Sequence, residues 1–247
     1  MKEFKITKND AGQRMDKFLT KAVPKLPKAL LYKYIRIKRI KLNGKRCEIS
    51  SRLCEGDVIE CYVSDEFFEA ENKRPEFMLA PSAIDVVYED ENILLINKPA
   101  GLLVHEGNDW CADTLIARIQ HYLYKKKEYD PAAENSFVPA LCNRIDRNTC
   151  GIVMAAKNAE ALRILNQKIK EREISKYYLC LVHGRPKKQS DTAEGFLEKD
   201  SDRNMVKIYD SPAPGRLSIK TKYTLLEHKK GISLLEIQLL TGRTHQI

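Results

Sequence analysis

Three short segments hold the side chains whose types and spacing suit chemistry better than packing. They are Asn97-Lys98-Pro99-Ala100-Gly101-Leu102-Leu103-Val104-His105, Asn143-Arg144-Ile145-Asp146-Arg147-Asn148-Thr149-Cys150-Gly151 and Thr241-Gly242-Arg243-Thr244-His245-Gln246-Ile247. Each is too polar and glycine-rich to be a core element, and each follows or joins an apolar run that reads as a strand. Polar loops presented by a rigid scaffold are where catalytic groups usually sit. Together the segments offer a single carboxylate, Asp146, among cations, imidazoles and a thiol. Neither His105 nor His245 has a carboxylate or second histidine at ligand spacing, so both read as hydrogen-bonded scaffold residues and no metal site is expected. Cys150 has no identifiable base partner and reads as a small buried side chain. A glycosidic hydrolase would need a second placed acid, and no paired-carboxylate motif accompanies Asp146.

The elements that must position these segments are legible as periodic patterns. From Ala83, apolar runs at Ile84 to Tyr88 and Ile93 to Ile96 suit buried strands bounded by turn residues. Asp113 is expected to cap a helix with Leu115, Ile116, Ile119 and Leu123 on one face. Asn158 is expected to cap another that carries Leu162, Leu165 and Ile169. Further strand-like runs lie at Ile152 to Ala155, Tyr177 to Val182, Leu217 to Leu226 and Ile232 to Leu240. Strands outnumber helices and do not alternate strictly with them, so an α+β fold is predicted rather than a doubly wound sheet.

Residues 1–65 read as a separate small module. Met15, Phe18, Leu19 and Ala22 follow the i, i+3, i+4, i+7 spacing of one helical face. A second helix from Pro27 onward places Leu30, Leu31, Tyr34 and Ile35 on one side and Lys28, Lys33 and Arg36 on the other. It therefore has an apolar face for a core and a basic face for solvent or phosphate. Asn43-Gly44 is the preferred dipeptide of a tight hairpin turn, because both residues tolerate positive φ. Glu55-Gly56-Asp57 then turns the chain into a last strand from Val58 to Val63. Residues 66–82 lack a helical or strand period and read as a linker, leaving 83–247 as the second domain.

At 247 residues and 43% hydrophobic, the chain has enough apolar material for an ordinary core. No apolar run approaches the length of a membrane span, and the amino-terminal residues do not read as a signal peptide. Seven cysteines without a C-x-x-C pair point to reduced thiols in a reducing compartment. The formal charge of +9 is spread along the chain and makes a polyanionic partner plausible. The runs Lys125-Lys126-Lys127, Lys187-Lys188 and Lys229-Lys230 read as solvated loops that become phosphate contacts only if several meet one nucleic acid.

In this order, with Lys176-Tyr177-Tyr178 between the last two, the three segments resemble the RluA-type pseudouridine synthases. The middle segment is similar to that family's H-R-L-D-x-x-T-S-G motif and the last to its G-R-T-H-Q-I-R motif. The first module is similar to the alpha-L RNA-binding domain often placed ahead of such catalytic domains. The fold implied is that module followed by a catalytic domain on a mixed, largely antiparallel sheet with flanking helices. The reaction implied is conversion of uridine to pseudouridine in RNA, without a cofactor. By resemblance Asp146 supplies the carboxylate, as nucleophile or as base at the sugar C2′. Arg243 is its guanidinium partner, and Tyr178 stacks on the extruded uracil and helps remove the C5 proton. Without the motif, Tyr178 reads as a packed strand residue.

Arg144 and Arg147 are candidate substrate contacts beside the catalytic loop, and Lys28, Lys33 and Arg36 are candidate RNA contacts on the first module. Lys98 and Pro99 look like a structural strand-to-turn element. Large-subunit ribosomal RNA is the family default, with transfer RNA the other candidate, and a cytoplasmic monomer without membrane attachment is expected. Three departures stand out: Asn143 replaces a histidine, Cys150 replaces a serine, and Lys38 stands where a glycine usually ends the second helix. Family members continue beyond the last motif with another arginine, a helix and further strands, so an incomplete chain is expected. The competing reading is a non-catalytic RNA-binding or ribosome-assembly protein.

Overall fold

The computed structural model describes residues 1–68, 75–107, 110–200 and 205–247; within the expected linker, residues 69–74 lie outside these. Its α+β architecture falls into two compact units, residues 1–167 and 168–247.

The first unit opens with strand β1 (Lys2–Lys5) and helices α1 (Met15–Ala22) and α2 (Lys28–Arg36). Strands β2 (Ile40–Leu42), β3 (Lys45–Arg46) and β4 (Val58–Cys61) follow. These strands form an antiparallel sheet in the order β1-β4-β2-β3. The spacing read from the sequence explains the helices. Met15, Phe18 and Leu19 of α1 and Leu31 and Ile35 of α2 are buried against Phe4, Ile6, Ile40 and Ile59, while Lys28, Lys33 and Arg36 are exposed. The β2–β3 turn has φ of 52° at Asn43 and 73° at Gly44, as the Asn-Gly dipeptide predicts. After α2, Lys38 itself adopts the left-handed conformation with φ of 63°. The Arg39 amide then donates to Tyr34 O at 2.9 Å, so the helix end has the geometry normally given to glycine.

The same unit continues with β5 (Val86–Glu89), β6 (Ile93–Lys98), α3 (Leu115–Lys125), β7 (Ala140–Leu141), β8 (Gly151–Ala156) and all but the last three residues of α4 (Ala159–Lys170). The four strands pair antiparallel in the order β5-β6-β8-β7. Leu115, Ile119 and Leu123 of α3 pack with Leu94, Ile96, Val153 and Ala155 of the sheet. Phe77, in a short 3-10 turn at the end of the expected linker, joins this core. The cap of α3 corrects the sequence reading. Thr114 is the N-cap and accepts from the Ala117 amide, whereas Asp113 holds Arg118 by two contacts of 2.6 and 2.7 Å. The bidentate arginine pair uses the carboxylate, and the next hydroxyl serves the helix end. Asn158 does cap α4, accepting from the Ala161 amide at 2.9 Å.

The second unit is an antiparallel sheet of β9 (Tyr177–His183), β10 (Ser190–Asp200), β11 (Met205–Tyr209), β12 (Leu217–Lys229) and β13 (Ile232–Leu239). Its order is β11-β10-β12-β13-β9. Leu225, Leu235 and Ile237 form its buried cluster, with Tyr178, Cys180 and Val182 packed against them. Strands β10 and β11 are additions to the sequence reading. Residues 190–195 of β10, Ser-Asp-Thr-Ala-Glu-Gly, carry no apolar alternation that would announce a strand. Among the described residues, no helix is long and apolar enough to cross a membrane.

Candidate active site

In the first unit, two of the polar segments leave the same end of one sheet. Lys98, the last residue of β6, pairs in register with Gly151, the first of β8. The loop after β6 and the loop before β8 therefore begin side by side. Lys98 is fully buried, and its ammonium donates to three backbone carbonyls: Pro99 at 2.9 Å, Leu102 at 2.8 Å and Arg147 at 2.9 Å. Burial pushes its pKa below the usual lysine range, opposed by nearby Cys150 and Asp146. The expected structural role of this lysine is thus a cross-brace between the two loops.

A second clamp joins the same loops reciprocally. The Gly101 amide donates to Arg147 O at 2.8 Å, and Arg147 Nε donates back to Gly101 O at 2.9 Å. Gly101 has φ of 87°, a conformation that favours glycine. On the other side of Asp146, Ile145 packs against the core that contains Leu94 and Val153. A turn from Asp146 to Thr149 is closed by the Thr149 amide at 3.1 Å. Asp146 is consequently exposed on a loop anchored on both sides, an arrangement suited to presenting a carboxylate in a fixed direction.

Asn143, where the resembled motif has a histidine, is itself anchored. Its Oδ1 accepts from the Met154 amide at 2.8 Å and its Nδ2 donates to Ile152 O at 3.4 Å, so it ties the loop's start to β8. Arg144 is exposed; partial desolvation of the His105 ring, whose residue stays open to solvent, and then the charge of Arg144 lower the imidazole's pKa. Two expectations are corrected. Cys150 is exposed rather than buried, because it lies outside β8 just before Gly151. His105 and His245 are exposed as well, and neither ring forms a hydrogen bond among the described residues, so neither acts as scaffold there.

In the second unit, Tyr178 lies on β9 opposite Ile237 of β13 and is half-buried against Leu235 and Ile237. The Leu239 amide donates to Lys176 O at 3.1 Å. The start of β9 and the segment after β13, which contains Arg243, therefore share one end of this sheet. Gln246 organises that segment. Its Oε1 accepts from Thr241 Oγ1 at 2.9 Å and from the Arg243 amide at 3.0 Å, and its Nε2 donates to Lys220 O and Thr221 Oγ1 of β12 at 3.1 and 2.9 Å. These bonds make the segment a pinned turn with Gln246 buried and the Arg243 side chain exposed. A glutamine within a polar motif gave no signal of this role, since its two partners on β12 lie 26 and 25 residues away.

Asp146, Arg144 and Arg147 thus belong to the first unit, and Tyr178 and Arg243 to the second. On α2, Lys28 lies over the Tyr32 ring at 5.7 Å, with Lys33 and Arg36 exposed beside it. Some of the lysine runs are committed elsewhere: Lys126 pairs with Glu89 and Glu128, and Lys188 with Asp191.

Comparison with known proteins bears out the family resemblance. Residues 92–247 match the family model described as RNA pseudouridylate synthase. An uncharacterized RNA pseudouridine synthase of Mycoplasma capricolum is 33% identical over the whole of this chain and 80% of its own length. A ribosomal large subunit pseudouridine synthase C of Vibrio cholerae is 32% identical, over 98% of this chain and 73% of its own length. The structure of human RNA pseudouridylate synthase domain containing 1 superposes with a TM-score of 0.53 at 22% identity, covering 67% of this chain and 62% of that one, a likeness of fold. With its three polar segments matched inside that family model and a relative aligned over the whole of this chain, the chain belongs to the RNA pseudouridylate synthase family and is an RNA pseudouridine synthase, an isomerase.

Proposed function

We propose that this enzyme isomerises uridines of large-subunit ribosomal RNA, with Asp146 as the carboxylate that acts on the target nucleotide. The reaction breaks the bond between uracil N1 and the sugar C1′, turns the base, and joins C5 to the same carbon, with no net oxidation. The observation that carries the assignment is the double brace from Lys98 and Gly101 to Arg147, which holds the exposed carboxylate next to it. Either role of Asp146, nucleophile or base at C2′, requires the ionised form. Arg243 is its proposed guanidinium partner, with the planar fork that orients a carboxylate. Tyr178 is proposed to stack on the extruded uracil and to assist loss of the C5 proton.

Substrate contacts follow from charge and exposure. Arg144 faces the target strand. Arg147 has its Nε committed to Gly101 and offers its terminal nitrogens to phosphate. Residues 1–65 form the RNA-binding module, with Lys28, Lys33 and Arg36 on phosphates, and 83–247 the catalytic domain. The ribosomal target is supported by relatives named for that activity, including the Vibrio cholerae protein. The reading also places the enzyme in the cytoplasm as a monomer, where RNA supplies its large partner surface.

The test is release of tritium from RNA labelled at uridine C5. The protein is expected to release it, and Asp146→Asn to abolish release while binding of the same RNA persists. Substantial turnover by Asp146→Asn removes the central assignment, and free uracil among the products points to a hydrolase instead.

A further inference from the structure

Within the first unit, the amino-terminal module meets the catalytic fold through a polar junction that the proposed mechanism does not use. Its centre is Asp10, which is fully buried. One carboxylate oxygen accepts from Ser136 Oγ at 2.6 Å. The other accepts from the Thr7 amide at 3.1 Å, Thr7 Oγ1 at 2.9 Å and Asn135 Nδ2 at 2.8 Å. Two of these four donors are supplied by the segment between α3 and β7, more than a hundred residues away in sequence.

Around this centre the contacts repeat the same pairing of segments. Gln13 Nε2 donates to Ser136 Oγ at 2.9 Å, and Asn135 Nδ2 donates also to Lys5 O at 3.0 Å. Asn9 Nδ2 donates to Glu134 at 2.8 Å, and Asn9 Oδ1 accepts from the Ala159 amide at 3.1 Å. A side chain of the first module thereby satisfies one of the free amides at the start of α4, next to the cap that Asn158 provides. Arg163 of α4 returns a bond to Ala11 O at 3.2 Å.

A loosely tethered module has no reason to bury a carboxylate, because an unpaired buried charge is strongly unfavourable. Asp10 is tolerated only while Asn135 and Ser136 stay in place, and directional bonds of this kind fix orientation more sharply than an apolar contact does. We infer that Asp10, Asn135 and Ser136 lock the helix–hairpin module to the catalytic fold, so that the basic face of α2 reads the RNA flanking the target at a fixed offset from the Asp146 loop. They are positioning residues for substrate choice. This inference rests on the proposed RNA-binding role of the first module.

The test compares two RNAs in the C5 tritium assay: a long ribosomal fragment that includes the helices flanking the target, and a minimal stem-loop with the target alone. Asn135→Ala and Ser136→Ala, combined, are expected to lower kcat/KM on the long RNA at least tenfold, mainly through KM, and to change the stem-loop by less than twofold. Asp10→Asn, which keeps the shape but replaces one acceptor by a donor, is expected to shift the same ratio. Equal losses on both RNAs reduce the junction to a stability element and overturn the inference, as does no loss on either. Lys28→Ala, Lys33→Ala and Arg36→Ala, combined, separate the two readings. If this variant leaves the long-RNA KM unchanged, the RNA-binding role of the module fails. If it raises KM while the junction variants do not, the lock alone fails.

Discussion

Lys98 Nζ donates to the carbonyl oxygen of Arg147 at 2.9 Å, one residue past Asp146, the carboxylate proposed to act on the target nucleotide. The same ammonium holds Pro99 O and Leu102 O, so one buried cation ties the end of β6 to both loops. Lys98→Met keeps most of the aliphatic stem and removes all three donors. Leaving those carbonyls unsatisfied is expected to lower stability by about 2–3 kcal/mol. It should also cost at least tenfold in kcat, because the Asp146 loop loses its fixed direction. Urea denaturation and the tritium assay check both. A stable variant with native turnover removes the brace from the account.

Gln246 plays the corresponding part for Arg243. Gln246→Ala deletes two acceptor and two donor contacts at once but touches a surface turn. Stability is therefore expected to fall by only about 1 kcal/mol. Turnover should fall roughly 10- to 100-fold, in the range seen when the support of a functional group is removed. Gln246→Glu retains the acceptors and is expected to recover part of the loss. Single-turnover kinetics at saturating RNA distinguish this from weakened binding, and wild-type rates for Gln246→Ala show that Arg243 is placed by other means.

The local signals were legible and the distant ones were not. Helices α1 and α2 and the Asn43-Gly44 turn follow from side-chain period and backbone preference within a few residues. The three polar segments were visible because nothing in a core requires them. Asp113 and Thr114 show where local reasoning fails: either residue suits a cap, and only Arg118, one helical turn on, decides which is used elsewhere. Strands β10 and β11 carry too little apolar alternation to declare themselves, because ladder pairing, of β10 with β12 and of β11 with β10, rather than burial defines them. Asp10, Lys98 and Gln246 take their meaning from partners reached only after folding, which no spacing rule encodes.

Lys38 gives a test of backbone strain. Its φ of 63° brings Cβ against the backbone, a cost absent in glycine. Lys38→Gly is expected to raise stability by about 0.5–1 kcal/mol, the relief of strain exceeding the added freedom of the unfolded chain. The midpoint of urea denaturation should rise with an unchanged slope. A fall in the midpoint means that this helix end is not strained, or that the lysine side chain contributes more than its backbone costs.

Glu89 predicts a dependence on pH. Its carboxylate accepts from Lys126 and Lys157 at 2.8 and 2.9 Å and from the Tyr122 hydroxyl at 2.8 Å, joining β5 to α3 and to the chain entering α4. Burial alone pushes its pKa up, but hydrogen bonds from Lys126, Lys157 and Tyr122 bring it down from 4.5 to about 2. Between those values the unfolded chain binds more protons than the folded one, so the stabilisation is complete above the unfolded pKa and disappears as pH falls toward 2. With solvent screening of the half-exposed Lys126, it amounts to on the order of 1 kcal/mol. Glu89→Gln is therefore expected to be less stable than wild type at pH 7, with the gap closing as pH is lowered from 5 to 3. Denaturation curves across that range check it. A gap that stays constant shows that the loss at pH 7 comes from packing or geometry, and that the charge on Glu89 contributes nothing.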